Sequence, residues 1–397
     1  MHNDFYKLEY EARKEELNYR LTGDFERLCK RNFEINKKIN ALVNGFDCQE
    51  NLQKNSYNNI LKYVGDLEQR YNIEMKEKHF RSIRKQIPHK EYGERLRELV
   101  LLRNEFAKTA GFRNYLEYKY SMWGVDKEIL TRKMDKTYTE LLGTTGSQEY
   151  ISLIKRVNNF PILNDNNQRQ LLEQMLDLWK LELEKGKVKI HTDDLPQFYI
   201  GACVPVSIPE DIHVLMNLQS GLSGFAVFMH EIGHAYYYSN ISNRLPIDRQ
   251  CAVNLIAEEG VALLFENLTY TSYTTKNLLE IELDIYDNLI DAFAMYQMCC
   301  IEFEERIYSQ PYSEFDTVWS KLREKYVFEQ DSNWCTPHFF VSEPGYFAAY
   351  FLGNRLAKDI YSYVKRKQAD MNDFLIGHIC SLGGNLQFDG VLKEINF

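Results

Sequence analysis

A mainly α protein, with two helical lobes flanking one cleft and a small antiparallel β-sheet before a central helix, is the fold class this sequence predicts. Three observations predict it. Residues 11–40, 94–109, 127–142 and 168–184 are long, charged and periodically apolar, as amphipathic helices are when they bury one stripe and solvate the other. Between Phe198 and Leu218 the texture changes to short runs rich in Val, Ile, Tyr and Leu, broken by Pro205, Pro209, Glu210 and Asp211, which is the pattern of a hairpin. Finally, the 397 residues contain no internal repeat, Pro-rich linker or low-complexity segment, so lobes packed about one cleft fit better than strung domains. A boundary near residue 190 is expected, with residues 1–190 forming an N-terminal helical lobe and 191–397 the lobe that carries the chemistry, in one cooperative unit.

The helices of the first lobe build walls and carry no recognisable chemistry. The opening residues Met1 to Glu9 include no apolar signal core, and no later run approaches the roughly eighteen apolar residues that span a bilayer, so a cytoplasmic location without membrane contact is expected. In the hairpin region, His213 shares a strand face with Leu215 and Asn217, and His191 sits beside Asp193 and Asp194. Neither histidine has metal-ligand spacing, so both read as structural. The next stretch, Ser220-Gly221-Leu222-Ser223-Gly224, lacks the lysine of a phosphate-binding loop and reads as a connector leading into a helix.

Composition narrows the function classes. Hydrophobic residues at 44% and charged residues at 26% are ordinary values for a globular chain. A formal net charge of −9, with Lys and Arg interspersed among acids, excludes general nucleic-acid affinity, and the basic tract at residues 81–90 reads as solvated surface. The eight cysteines include no Cys-x-x-Cys pair, and adjacent Cys299 and Cys300 are poorly placed to bridge each other. Reduced thiols are therefore expected, and a cysteine cage for a metal is not.

The central helix holds the strongest signal, His230-Glu231-Ile232-Gly233-His234. Positions i and i+4 share a helix face, so the two imidazoles can grip one ion while Glu231, one step round, reaches a water on that ion. Catalytic zinc sites use three protein ligands and leave a position for water, so a third ligand should follow. Glu258 and Glu259 are the candidates, in a mostly apolar stretch from Asn254 to Glu266 where an uncompensated carboxylate is costly. Glu259 and Glu266 lie seven apart on one face, as ligand and outer partner would, and Glu258 then points away. One zinc per chain, held by His230, His234 and Glu259, is the expected cofactor.

On these residues the chain resembles the M3 peptidases, the group of thimet oligopeptidase and oligoendopeptidase F. In that family the third ligand follows the second histidine by twenty-five residues, and 259 minus 234 is 25. The resemblance includes Arg103 to Tyr115, Val214 to Leu218, Phe303-Glu304 and the tract from His338 to Gly353, and covers roughly residues 95–360. The family's members are longer, so it implies a shortened N-terminal lobe and a more open substrate cleft. Asp194 to Ala202 lacks the family's basic-Gly-Lys element, so substrate preference is not carried over.

Further implications concern His338, Tyr346 and Tyr350. Pro344 and Gly345 interrupt the chain, after which Tyr346 and Tyr350 fall at i and i+4 of a helix. The family supplies a histidine and tyrosines from this region to the negative charge that develops on the scissile carbonyl oxygen, which assigns that role to Tyr350, Tyr346 and His338. Aromatic core packing is the alternative for the two phenols. The implied reaction is hydrolysis of short, unstructured peptides by a metal-activated water, with Glu231 as general base and Met216 and its neighbours offering a strand edge to the peptide. Two other readings are carried: a metallocarboxypeptidase or dipeptidyl carboxypeptidase, in which Arg355 could meet the terminal carboxylate, and a catalytically inactive zinc- or peptide-binding protein.

Overall fold

The computed structural model describes residues 2–23, 27, 31, 89–142, 165–193, 195, 200–219, 221–280, 286–327, 334 and 339–386. In chain order the first elements are helices α1 (His2–Thr22), α2 (His89–Thr109), α3 (Tyr115–Trp123), α4 (Lys127–Leu141) and α5 (Asp165–Trp179). Strands β1 (Val188–His191), β2 (Gly201–Ser207) and β3 (Asp211–Met216) follow. Helices α6 (Leu222–Ser239), α7 (Ile247–Cys251), α8 (Leu255–Leu268) and α9 (Ser272–Leu279) come next. The rest of the described chain is α10 (Tyr286–Ser309), α11 (Phe315–Val327), α12 (Phe339–Ser342), α13 (Tyr346–Lys367), α14 (Met371–His378) and a 3₁₀ turn at Cys380–Asn385. The protein is mainly α, and no helix among the described residues is long and apolar enough to cross a membrane.

Two compact units are assembled from interleaved segments, Met1–Cys48, Leu153–Asp287 and Gly353–Phe397 for one, Gln49–Ser152 and Asn288–Leu352 for the other. Residue 190 lies inside β1, whose pairing with β3 ties it to the hairpin that comes after it.

In the first unit the sheet order is β1-β3-β2. The hairpin expected between Phe198 and Leu218 is present as antiparallel β2 and β3, with Cys203 opposite Val214 and Val204 opposite His213. The sheet as a whole is mixed, not purely antiparallel, because β1 joins the far side of β3 in parallel, Lys189 opposite His213. Met216 belongs to the central strand and offers no free edge of its own, whereas β2 is an outer strand of the described sheet.

One face of the sheet buries Val204, Val206 and Leu215 with Leu195 and, from α1, Leu17 and Leu21. Helix α6 packs against β2, β3 and α8 and is apolar nearly all round, with Phe225, Phe228, Met229, Ile232, Tyr236 and Tyr237 at 2% exposure or less. Such side chains contribute roughly 1.5–3 kcal/mol each on burial, so the helix is held rigidly on all sides. Gly233 sets how closely α6 meets α8, since a β-carbon there would come 2.6 Å from the Cα of Ala262. At the start of α8 the Asn254 side chain accepts the Ala257 backbone N–H at 3.1 Å, which fixes where that helix begins.

The second unit is built round Phe303, Trp319, Trp334 and Phe340, whose rings meet within 6.0 Å of one another in successive contacts. Buried Arg103 donates to the Tyr308 hydroxyl at 3.0 Å. Glu304, also buried, accepts the Gly345 backbone N–H at 2.9 Å and so secures the turn that precedes α13. Burial raises the Glu304 carboxyl to about 8, against the pull of the Gly345 N–H and the Arg103 guanidinium.

Candidate metal centre

His230, Glu231 and His234 share the rigid middle of α6, and Glu259 reaches the two histidines from α8. The Nε2 atoms of His230 and His234 are 3.1 Å apart. Glu259 Oε2 is 3.7 Å from His230 Nε2, and Oε1 is 3.8 Å from His234 Nε2. A tetrahedral ion with bonds of roughly 2.0–2.1 Å needs donors about 3.3–3.4 Å apart; the imidazole separation is close to that, and each imidazole has a different Glu259 oxygen within 3.8 Å. The imidazole planes stand at 81°, and the two Nε2 atoms are also within hydrogen-bonding geometry of each other. Among the described residues this is the group of three His, Cys, Asp or Glu side chains whose ligand atoms converge, all within 4.8 Å of one another. Two nitrogens and one carboxylate oxygen form a donor set suited to zinc, and none is a thiolate.

Carboxylates surround the pair. Glu266 Oε2 lies 3.0 Å from His230 Nδ1, as the seven-residue spacing from Glu259 predicts. Glu258 does not point away as expected, because its Oε1 lies 3.3 Å from His234 Nδ1. Burial works against charge on both imidazoles, but the carboxylates outweigh it. Glu266 leads in raising His230, and Glu259 leads, with Glu258, in raising His234 to about 10. Without a metal the cluster therefore attracts protons, and a divalent cation competes for the same sites.

Glu231 lies close enough to contribute to the raised value of His234. Strand β2 runs directly against it. A β-carbon at Gly201 would fall 2.9 Å from Glu231 Cγ and 2.7 Å from Met216 Sδ, so a larger residue there would have to displace one of these side chains.

Tyr346 and Tyr350 belong to the second unit, on the first turns of α13. Their ring centroids are 5.6 Å apart, as i and i+4 spacing requires. Tyr346 stacks on Phe339 at 4.5 Å, and Tyr350 meets Phe293 edge-on at 5.5 Å. His338 lies outside the described residues. Arg355, on the part of α13 that belongs to the first unit, is buried at 8% exposure.

A second histidine pair escaped the sequence reading. His191 on β1 and His213 on β3 approach to 2.8 Å between Nε2 and Nδ1, with rings 7° from parallel, and Asp211 Oδ1 lies 3.1 Å from the other nitrogen of His213. The signal that could have found it is the matched alternation of Lys189 and His191 with Asp211 and His213, which puts all four on one sheet face once β1 and β3 pair.

No protein-family model matches the sequence, and no curated protein matches it. Solved structures do. An oligoendopeptidase F aligns over 78% of this chain with TM-score 0.59 and 19% identity. This chain spans 62% of that protein's length. A carboxypeptidase from Pyrococcus furiosus aligns over 99% of this chain and 93% of its own, with TM-score 0.68 and 13% identity. PZ peptidase A aligns over 98% of this chain and 86% of its own, with TM-score 0.69 and 15% identity. These likenesses show the fold, which this chain shares with those three peptidases.

Proposed function

We propose that this chain is a zinc-dependent peptidase of the oligoendopeptidase type, acting on short peptides in the cytoplasm. The observation that carries the reading is the convergence of His230, His234 and Glu259 beside Glu231. His230 and His234 would hold the ion through Nε2, and Glu259 through its carboxylate. When bound, zinc supplies a Lewis acid that polarises the scissile carbonyl and brings the pKa of water toward neutrality.

The chain's own residues do the rest. Glu231 accepts the proton of the attacking water and passes it to the departing amine, which completes the hydrolysis without a covalent acyl-enzyme. Outer strand β2, passing Glu231 at Gly201, is suited to pair with an extended peptide through main-chain hydrogen bonds, which demands little of the side chains. Donation of a phenol proton to the developing oxyanion is assigned to Tyr350, with Tyr346 and His338 as further candidates, on the family resemblance. Turnover of a fluorescence-quenched peptide that stops with a chelator and returns with zinc supports the reading. A zinc-loaded protein that binds peptides without cleaving any would replace it with an inactive peptide-binding role.

Carboxypeptidase action is the second reading, favoured by the alignment of nearly the whole chain with the Pyrococcus furiosus carboxypeptidase. Peptides blocked at the C-terminus separate the two, because an endopeptidase cleaves them and a carboxypeptidase does not.

A further inference from the structure

We propose that Glu258 and Tyr238 form an outer pair that fixes the ring of His234, as Glu266 does for His230. The inference rests on the zinc reading above and extends it to two residues with no ligand role.

The two imidazoles are treated alike by the fold. Each turns Nε2 toward Glu259, and each turns Nδ1 toward a carboxylate of α8, Glu266 at 3.0 Å from His230 and Glu258 at 3.3 Å from His234. A ligating histidine needs a partner on its second nitrogen to hold the tautomer that leaves Nε2 free for the metal and to keep the ring in plane with it. The Nδ1 of His234 is buried and makes no well-aligned hydrogen bond in this structure, so the facing carboxylate has a polar atom to serve. Consecutive residues of a helix point about 100° apart, and here that angle is used. Glu259 takes the Nε2 side of His234 and Glu258 the Nδ1 side, so α8 embraces one imidazole from two directions.

Tyr238 completes the arrangement. It lies four residues after His234 on α6, on the same face one turn further on, and its hydroxyl donates to Glu258 Oε1 at 2.6 Å. That oxygen is the one facing His234. A charged carboxylate only 13% exposed is thereby held in a single position by a buried donor, and the position is the one that meets the ring. Glu258 and Tyr238 are positioning residues, since neither reaches the point where the three ligand atoms converge.

Zinc affinity, measured by competition with a chromophoric chelator on protein stripped and reloaded, tests the inference without recourse to activity. Glu258→Ala and Glu258→Gln are each expected to weaken zinc about 10–100-fold, the scale typical of such partners, with Glu266→Gln as the reference in the same assay. Tyr238→Phe should weaken it severalfold. The double substitution Tyr238→Phe/Glu258→Ala should be no worse than Glu258→Ala alone, because the phenol acts only through the carboxylate. Glu258→Gln keeps the side chain's shape, so an unchanged melting temperature of the metal-free protein separates loss of positioning from loss of fold. In the cobalt-substituted protein, Glu258→Gln should also shift the visible absorption bands, which a purely structural role would leave in place. Wild-type zinc affinity in both Glu258 variants, or fully additive losses in the double variant, overturns the inference and leaves the zinc reading intact. A wild-type protein that takes up no zinc overturns both.

Discussion

Two histidine pairs sit in the same compact unit, at nearly the same separation, and their surroundings oppose each other. His230 and His234 have nitrogens 3.1 Å apart with rings at 81°, while His191 and His213 have nitrogens 2.8 Å apart with rings at 7°. In the first pair Glu259 brings a carboxylate oxygen within 3.8 Å of each Nε2. Near-coplanar rings with nitrogens at 2.8 Å share one proton in an N–H···N bond, and no ion fits between nitrogens that face each other so closely. Charge follows the same division. Carboxylates raise both histidines of the first pair, whereas burial leads in lowering both of the second and at His213 outweighs the single carboxylate of Asp211. Proximity of imidazoles therefore does not make a metal site. A carboxylate within reach of both facing nitrogens is what the first pair has and the second lacks.

The largest expected effect breaks the comparison if it fails. His230→Ala, His234→Ala and Glu259→Ala should each reduce zinc from about one per chain to none by elemental analysis, because removing one of three ligands leaves too few donors. His191→Ala and His213→Ala should leave the zinc content unchanged. Zinc lost from the second set and retained in the first would reverse the assignment.

A smaller effect separates the carboxylates beside each pair. Glu231→Gln should keep zinc and lose activity by about 10²–10⁴-fold, the usual contribution of a general base, since an amide accepts no proton from water. Asp211→Asn, on the other pair, should leave turnover near wild type. Steady-state kinetics beside metal analysis reads both, and comparable losses in the two variants would remove the distinction.

Tyr346 and Tyr350 extend the question to a pair of phenols. Both rings are packed against aromatic neighbours, so packing alone predicts that deleting one hydroxyl does nothing. Tyr350→Phe is expected to lower kcat on the order of a hundredfold with KM little changed and zinc retained, the loss typical of one oxyanion donor. Tyr346→Phe, measured on the same peptide, should fall less. Wild-type turnover in Tyr350→Phe would return that residue to the aromatic core.

What could be read from the sequence was local or carried by spacing. His230 and His234 were legible because the helical period alone places them on one face; for Glu259 the apolar stretch left two candidate carboxylates, the spacing to Glu266 favoured it, and the twenty-five-residue spacing of the M3 resemblance selected it. The role of Glu258 was not legible. Whether a residue adjacent to a ligand turns outward or meets the far nitrogen of an imidazole depends on how α6 and α8 are phased against each other, and Gly233 sets that approach by contact with Ala262. The hairpin was visible in its turn residues, but the place of β3 at the centre of the sheet was not, because β1 is four residues long and pairs in parallel across a gap in the chain. That same non-local pairing hid His191 from His213.

The smallest expected effect sharpens the comparison through pH. Burial leads in lowering both His191 and His213 below their ordinary value of 6.5, and for His213 it outweighs the opposing pull of Asp211. In the unfolded chain these histidines bind protons more readily than in the folded one. Below pH 6.5 the unfolded state therefore gains more protons, and the pair's contribution to stability falls as pH falls through that value. Melting temperatures between pH 7.5 and 5 should decline less steeply in a His191→Gln/His213→Gln variant than in the wild type. Taking the difference between the two proteins cancels the other titrating groups, His230 and His234 among them, since both chains share them. A difference that stays constant across the range would show that the pair titrates alike in both states, and that its coplanar bond survives protonation without cost to the fold.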